Sequence, residues 1–566
     1  MYTDVMTEIA RFKAGRIHVA RAGLATQARL CVDMLQQGRG MAWVVKNRDE
    51  LLTARALMRL FSPELSSGDF LPDALDKGGW TSLPPFSPRS ANREGWTERL
   101  SALYALRSGQ AKGLILTADN LLPKLVPLDF FENREVTLIR GEDVSLDMIL
   151  EQAVEWGYER VSMVSNPGEI ARRGDILDIM PPGYDKPIRL DFFGDLIEEI
   201  RLFDPVSQRS KANLSEVRVL PVSPIRQSPA DQAKMQARWK SLFQKNMLTE
   251  NERFGLTRLQ EQGDFRLLPG CCYDTATNLE AWLPADTVWV LPGLSDFHDM
   301  LSSAERLWTE AFEAQDMEGR PQPQRLAMRE ASDVESACER FACVHAEPLV
   351  MGIAKGIHDL PERSLSSFED LFPSTAEQDR PWQTLVQALK RWQNDRRQTI
   401  LCFASEKSRT KFLNLASQDG LSPLLRYSGE QHGLFALVAP FRAGAELIWD
   451  QSLILGEDLL QPHAEKSRRV PTGAFKGLDR YDELKPGDLL VHRDYGIARF
   501  GGLLRMETGS TANDFLLLHY SGDDRLYVPV DRLSLIQRFK GGGEAQPSLD
   551  RLGGGAWQSG KEKARK

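Results

Sequence analysis

The sequence predicts a multidomain α/β protein with a β-rich insertion and, towards residue 566, an all-β module. Three observations carry that expectation. A length of 566 residues corresponds to roughly four domains at about 150 residues each. Over residues 1–130 short apolar strands alternate with amphipathic helices, the order of an open parallel sheet. In two later stretches the hydrophobic period changes to two, and Gly- and Pro-containing turns join short strands.

Taken in order, 1–130 forms the first part of an α/β domain, with strands at 16–20, 41–45 and 113–117 and helices at 25–35 and 47–60. Residues 131–218 are the β-rich insertion, where Gly174-Asp175-Ile176-Leu177-Asp178-Ile179-Met180 and Ile188-Arg189-Leu190-Asp191-Phe192-Phe193 alternate. The α/β pattern resumes over 219–345, with helices at 231–245 and 297–314 around an apolar strand at 287–291. Residues 346–456 read as a small α/β domain, with strands at 398–403 and 433–440 flanking a helix at 406–417. The polar stretch 457–480, holding Pro462, Pro471, Gly473, Gly477 and a charge run at 465–469, reads as a linker. Residues 481–546 form the all-β module, with strands at 488–492, 497–500, 503–507, 514–520 and 525–530 and Pro529 suited to an edge. Residues 547–566 are Gly-rich and then basic, the start of a linker or of a further element.

Composition narrows the function classes. The chain has 71 basic and 79 acidic side chains, a net charge of -8, which argues against a nucleic-acid coat along its whole length. No stretch approaches the ~18 apolar residues of a membrane helix, and Met1-Tyr2-Thr3-Asp4 does not open a signal peptide. The expectation is a cytoplasmic protein without a membrane partner. The six cysteines and eight histidines are dispersed, with no spacing that suits a metal, so no metal site is expected and the cysteines read as buried thiols.

Catalytic motifs are lacking too. A nucleotide-hydrolysing loop needs glycines that let amides reach phosphate, a lysine, and a hydroxyl for magnesium. The strand-loop-helix Val19-Ala20-Arg21-Ala22-Gly23-Leu24-Ala25-Thr26-Gln27 offers one glycine, Gly23, and Thr26, but no lysine. Gly555 to Lys561 fits part of that motif by letter only, because it follows no strand and Glu562 stands where the hydroxyl belongs. Carboxylate pairs such as Glu198-Glu199 read as solvated faces.

Binding is better signalled. Arg189, Asp191 and Phe193 share one strand face, polar except for Phe193, and Arg173 on the preceding hairpin strand could reach the same surface. Either a partner or another domain of the chain covers Phe193. In the C-terminal module Leu504 and Met506 alternate with Leu503, Arg505 and Glu507. Met506 reads on pattern as core, the other reading being an exposed edge that pairs with a partner strand.

The residues carry a resemblance. Arg173-Gly174-Asp175-Ile176-Leu177-Asp178-Ile179-Met180-Pro181, the stretch Ile188 to Asp195, and Phe203 to Arg209 resemble the hairpin domain shared by the excision-repair helicase UvrB and the transcription-repair coupling factor (Mfd) family. Gly487 to Phe500 and Leu526-Tyr527-Val528-Pro529-Val530 resemble the CarD-like, Tudor-like module that binds RNA polymerase in that family. Leu83-Pro84-Pro85-Phe86-Ser87-Pro88 and Arg99 to Tyr104 fit its N-terminal α/β domain.

The resemblance implies a UvrB-like fold over 1–345 whose nucleotide loop, at Gly23 and Thr26, has decayed. It implies that Arg173, Arg189 and Phe193 match UvrA-contacting positions, and that Met506, with Leu504 beside it, falls where a leucine contacts the polymerase beta subunit. The family's ATP-driven DNA translocase lies beyond this module, so ATP and magnesium belong past residue 566. This chain is then expected to hold no cofactor, to touch DNA weakly at most, and to act as a non-catalytic adaptor with its UvrA-binding face open. The alternative is a UvrB-like ATP-dependent DNA helicase.

Overall fold

The computed structural model describes residues 2–11, 14–62, 79–88, 90–205, 209–347, 357–374, 379–427, 432–460, 487–492, 496–508, 511–521, 524–529 and 536–538. The chain divides into two compact units, Met1–Pro462 and His463–Lys566.

The largest sheet of the first unit has seven strands, all parallel. Their order is Ile357–Asp359, Gly15–Ala20, Ala342–Glu347, Val288–Pro292, Met41–Val45, Gly113–Thr117 and Trp80–Leu83. Parallel sheets are covered on both faces, which is why the central strands are apolar throughout: every residue of Met41–Val45 and Val288–Pro292 is buried. Helices Arg48–Phe61 and Arg93–Arg107 begin where the side chains of Asn47 and Asn92 accept from the amides of Glu50 and Gly95, satisfying donors that a helix start leaves open. One face of the sheet packs around Trp96, Leu103 and Trp308, the other around Ala28, Val32 and Leu57. The sheet that starts at Gly15 is thus completed by strands on the far side of the insertion.

The insertion is a second sheet. Strands Glu169–Arg173, Ile176–Ile179, Ile188–Phe193, Leu196–Phe203 and Ser210–Leu214 form an antiparallel meander, with Glu159–Arg160 added parallel at one edge. Helix Leu146–Glu155 and the pair Val136–Ile139 and Glu216–Val219 cover its apolar face, which includes Leu177, Leu190 and Ile197.

A third sheet has the order Glu362–Leu365, Gly444–Leu447, Ser452–Gly456, Gln398–Phe403, Leu434–Val438. Helices Pro381–Asn394 and Glu406–Gln418 pack on one face through Leu385, Leu389 and Phe412. From its other face Ile400, Cys402, Phe435 and Ile454 join the core around Ala25 and Ala28, so helix Leu24–Gln36 has packing from both sheets. The transition expected at 345/346 falls later in the structure. Ile357–Asp359 still pairs with the first sheet and the small sheet starts at Glu362. Ile357-His358-Asp359 is too short and polar to show a period, which is why the pattern did not assign it.

Among the described residues the second unit holds a five-stranded antiparallel sheet in the order Arg525–Pro529, Thr511–His519, Gly496–Thr508, Leu489–His492, Ile536–Arg538. Its core holds Leu490, Ala498, Phe500, Leu516, Leu518 and Val528. The strands expected at 497–500 and 503–507 are one strand, Gly496–Thr508, with a register shift between Phe500 and Gly502. The break between them is a bulge: Gly502 has φ +129, and a Cβ on Gly501 would meet His519 Nε2 at 2.5 Å. Pro529 lies on an edge strand, where a residue without a backbone donor is tolerated.

Most of the linker 457–480, the segment 547–566 with its Gly-Lys letter match, and parts of 481–546 lie outside the described residues. Among the described residues no helix is long and apolar enough to cross a membrane.

Candidate functional site

Two hairpins of the insertion, the first and the third of its meander, turn at one end of the sheet through the same dipeptide, Gly174-Asp175 and Gly194-Asp195. The two glycines have φ of +62 and +64, a backbone shape the first residue of such a tight turn needs and glycine adopts without steric cost. Arg173 and Phe193 are therefore equivalent, each the last strand residue before its turn. The registers Arg173↔Ile176 and Ile176↔Asp191 place Arg173 in the row of Asp191, on the face that also carries Phe193. Sheet spacing puts their backbones about 12 Å apart.

The three arginine and phenylalanine positions differ in what holds them. The Phe193 side chain is open, with 74% of the residue exposed. Arg173 is also exposed, and its Nη2 donates to the Ser162 carbonyl at 2.6 Å. Arg189 is fixed within the sheet. Its Nε and Nη2 donate to the two carboxylate oxygens of Asp178, on the neighbouring strand, at 2.7 and 2.8 Å, and its Cζ lies 4.5 Å from the ring centre of Phe203. Asp178 is 2% exposed, and the hydrogen bonds to it raise the Arg189 guanidinium above its ordinary pKa despite burial. Alternation placed Arg189 on the correct face but could not show that a carboxylate across the ladder already holds it.

In the second unit Leu504 pairs with Phe515 and Met506 with Asn513. On its other side Gly496–Thr508 pairs with Leu489–His492 only over Gly496 to Arg499, and a last pair of bonds joins Phe500 to Gly487 and Asp488. Beyond Phe500, Leu504 and Met506 lie on a stretch that pairs, among the described residues, only with Thr511–His519. Their side chains lie outside the described part of the structure.

Gly23 and Thr26 stand where a nucleotide loop would, between strand Gly15–Ala20 and helix Leu24–Gln36. The anion position at the helix start is filled. The Glu362 carboxylate accepts from the Ala25 amide at 3.2 Å and from the Thr26 amide at 2.7 Å. Burial pushes its pKa up against the opposing pull of these bonds. Trp449 Nε1 donates to Thr26 Oγ1 at 3.0 Å and its ring stacks on Tyr2 at 4.3 Å. Sequence reasoning missed Glu362 and Trp449 because they come from more than 330 positions away, and no local pattern marks either.

All six cysteines are free and buried, and burial pushes the Cys271 and Cys343 thiols up to about 12, away from the thiolate form. Among the described residues no group of three or more His, Cys, Asp or Glu could hold a metal ion.

Comparison with known proteins agrees with this layout. Residues 136–224 match the UvrB interaction domain family, and 484–540 match the CarD-like/TRCF RID domain family. The chain is 29% identical over 530 residues to a transcription-repair-coupling factor of Myxococcus xanthus, covering 85% of this chain and 42% of that protein. It is 28% identical over 517 residues to the Escherichia coli factor (86% and 42%) and 25% identical over 510 residues to the Bacillus subtilis factor (84% and 41%). The chain thus spans about two fifths of the length of the curated relatives it matches. Along most of its own length it is similar to transcription-repair-coupling factors, with a UvrB interaction domain and a CarD-like/TRCF RID domain in the order its motifs implied.

Proposed function

We propose that this chain is a non-catalytic adaptor that couples a stalled RNA polymerase to excision repair. The hairpin end carrying Phe193 and Arg173 recruits UvrA, with Arg189 positioning the strand that bears Phe193. The C-terminal sheet serves as a CarD-like, Tudor-like module that takes the polymerase beta subunit along the strand at Leu504 and Met506. The observation that carries the reading is Phe193: a phenylalanine with 74% of its surface exposed, at a turn of the domain matched as the UvrB interaction domain. An aromatic in that position loses apolar surface to water unless a partner covers it.

The test is a pull-down of the chain against purified UvrA, wild type beside Phe193→Ala, with circular dichroism as the folding control. Retention of wild type and loss by the folded variant is the expected result; equal retention would remove UvrA recruitment from this surface. For the other arm, Met506→Arg is expected to abolish polymerase binding while UvrA is still retained, because an arginine in an apolar contact cannot be desolvated cheaply. Loss of both would indicate misfolding. The helicase alternative has less support, since the Glu362 carboxylate stands where phosphate would sit. An ATPase assay with and without DNA is expected to show no turnover dependent on the Gly23 loop.

A further inference from the structure

In nucleotide-binding proteins the first amides of the helix after the loop take phosphate oxygens. Here the amides of Ala25 and Thr26 take the two oxygens of one internal carboxylate, Glu362 Oε1 and Oε2. Gly23 is shaped to that group: a Cβ at this position would stand 2.4 Å from Glu362 Cδ. Its φ is -74, so the backbone does not demand glycine, whereas any Cβ here would force the Glu362 carboxylate to shift.

The backbone that delivers Glu362 is fastened to the strand leading into the loop. Ile357–Asp359 pairs in parallel with His18 to Ala20, the Leu360 amide donates to the Ala20 carbonyl, and the Glu362 amide donates to the Arg21 carbonyl, each at 3.0 Å. Arg21 Nε donates to Asp359 at 2.9 Å. Directly after this seam the chain enters the small sheet as strand Glu362–Leu365. Trp449, from the same small domain, bonds Thr26 on another side of the helix start.

We propose that Glu362 is a built-in phosphate surrogate: it closes the loop at Gly23 to nucleotides and latches the small α/β domain (362–456) onto the first one. A ligand seat has become a domain joint, which gives the stretch 346–456 a role the sequence left unassigned. The joint is independent of whether the chain binds UvrA or polymerase.

The full chain carrying Glu362→Ala, Gly23→Ala or both tests this. Gly23→Ala is expected to lower the melting temperature of the wild-type chain and to have little further effect beside Glu362→Ala, because the methyl group meets that carboxylate. Hydrogen exchange over 24–36 is expected to accelerate at least about tenfold at the Ala25 and Thr26 amides in Glu362→Ala, the scale of a lost bond to a charged group. Inorganic pyrophosphate is expected to restore protection there in Glu362→Ala and leave wild type unchanged, with sodium chloride at matched ionic strength as control. Additive melting shifts, pyrophosphate protection of wild type, or no rescue of the variant would each overturn the proposal. Should Glu362→Ala fail to fold, Glu362→Gln keeps the volume and one acceptor. Exchange intermediate between unprotected amides and wild type supports a carboxylate seat, and exchange equal to wild type overturns it.

Discussion

The hairpin end and the loop at Gly23 each hold a glycine in the connection that follows a strand, and the two glycines have opposite surroundings. At Gly194 nothing lies within 4 Å of a would-be Cβ, and the residue is there for its φ of +64. At Gly23 the φ is -74 and a carboxylate lies 2.4 Å from the would-be Cβ. One glycine turns the chain so that Phe193 faces water; the other makes room for the chain's own Glu362. A glycine after a strand therefore does not by itself distinguish a site for partners from a sealed joint. What covers it does.

The largest effect is expected for Arg189→Ala, which leaves Asp178 buried without its partner and should cost about 3 kcal/mol in chemical denaturation; a loss below about 1 kcal/mol would mean that the pair does not brace the hairpin. Phe193→Ala should weaken UvrA binding by more than about tenfold while changing stability by no more than about 0.5 kcal/mol. If stability falls instead, Phe193 is packing and the open end is not open. At the sealed joint, Trp449→Phe keeps a ring against Tyr2 but removes the bond to Thr26, and should cost about 1 kcal/mol. No change would confine the latch to Glu362.

The smallest effect concerns the strands that lead to the loop. His345 lies beside His18, ring centres 5.5 Å apart, with Arg16 and Glu347 nearby, and burial holds its pKa below the ordinary 6.5. The neutral ring is the folded form, so its contribution is complete above pH 6.5 and is lost as pH falls through 6.5 towards the depressed value. Melting temperatures followed from pH 7.5 to 5.5 should fall more steeply in wild type than in His345→Asn.

Much of this layout was legible from period and turn chemistry. Strands at Met41–Val45 and Val288–Pro292 stand out as short apolar runs between helices, and the alternation of 188–193 marks a strand of the insertion. What stayed hidden depended on pairing between distant positions. The carboxylate of Asp178 beside Arg189 is fixed by ladder register, and Glu362 meets Ala25 across 337 positions. The bulge at Gly501-Gly502 stayed hidden for a local reason, since two glycines interrupt the alternation and leave two short strands in the pattern where the partner strand joins them into one.

The order of strands in the largest sheet also bears on how the chain is made. Gly15–Ala20 sits between Ala342–Glu347 and Ile357–Asp359. During synthesis at ~5–20 residues per second this strand, with Ile17 and Val19, waits tens of seconds for a neighbour. The meander from Glu169 to Leu214 needs no such delay, because its antiparallel strands follow one another in the chain. On the ribosome the hairpins of the insertion should mature first, and the first domain should remain a client for chaperones until residue 359 has emerged.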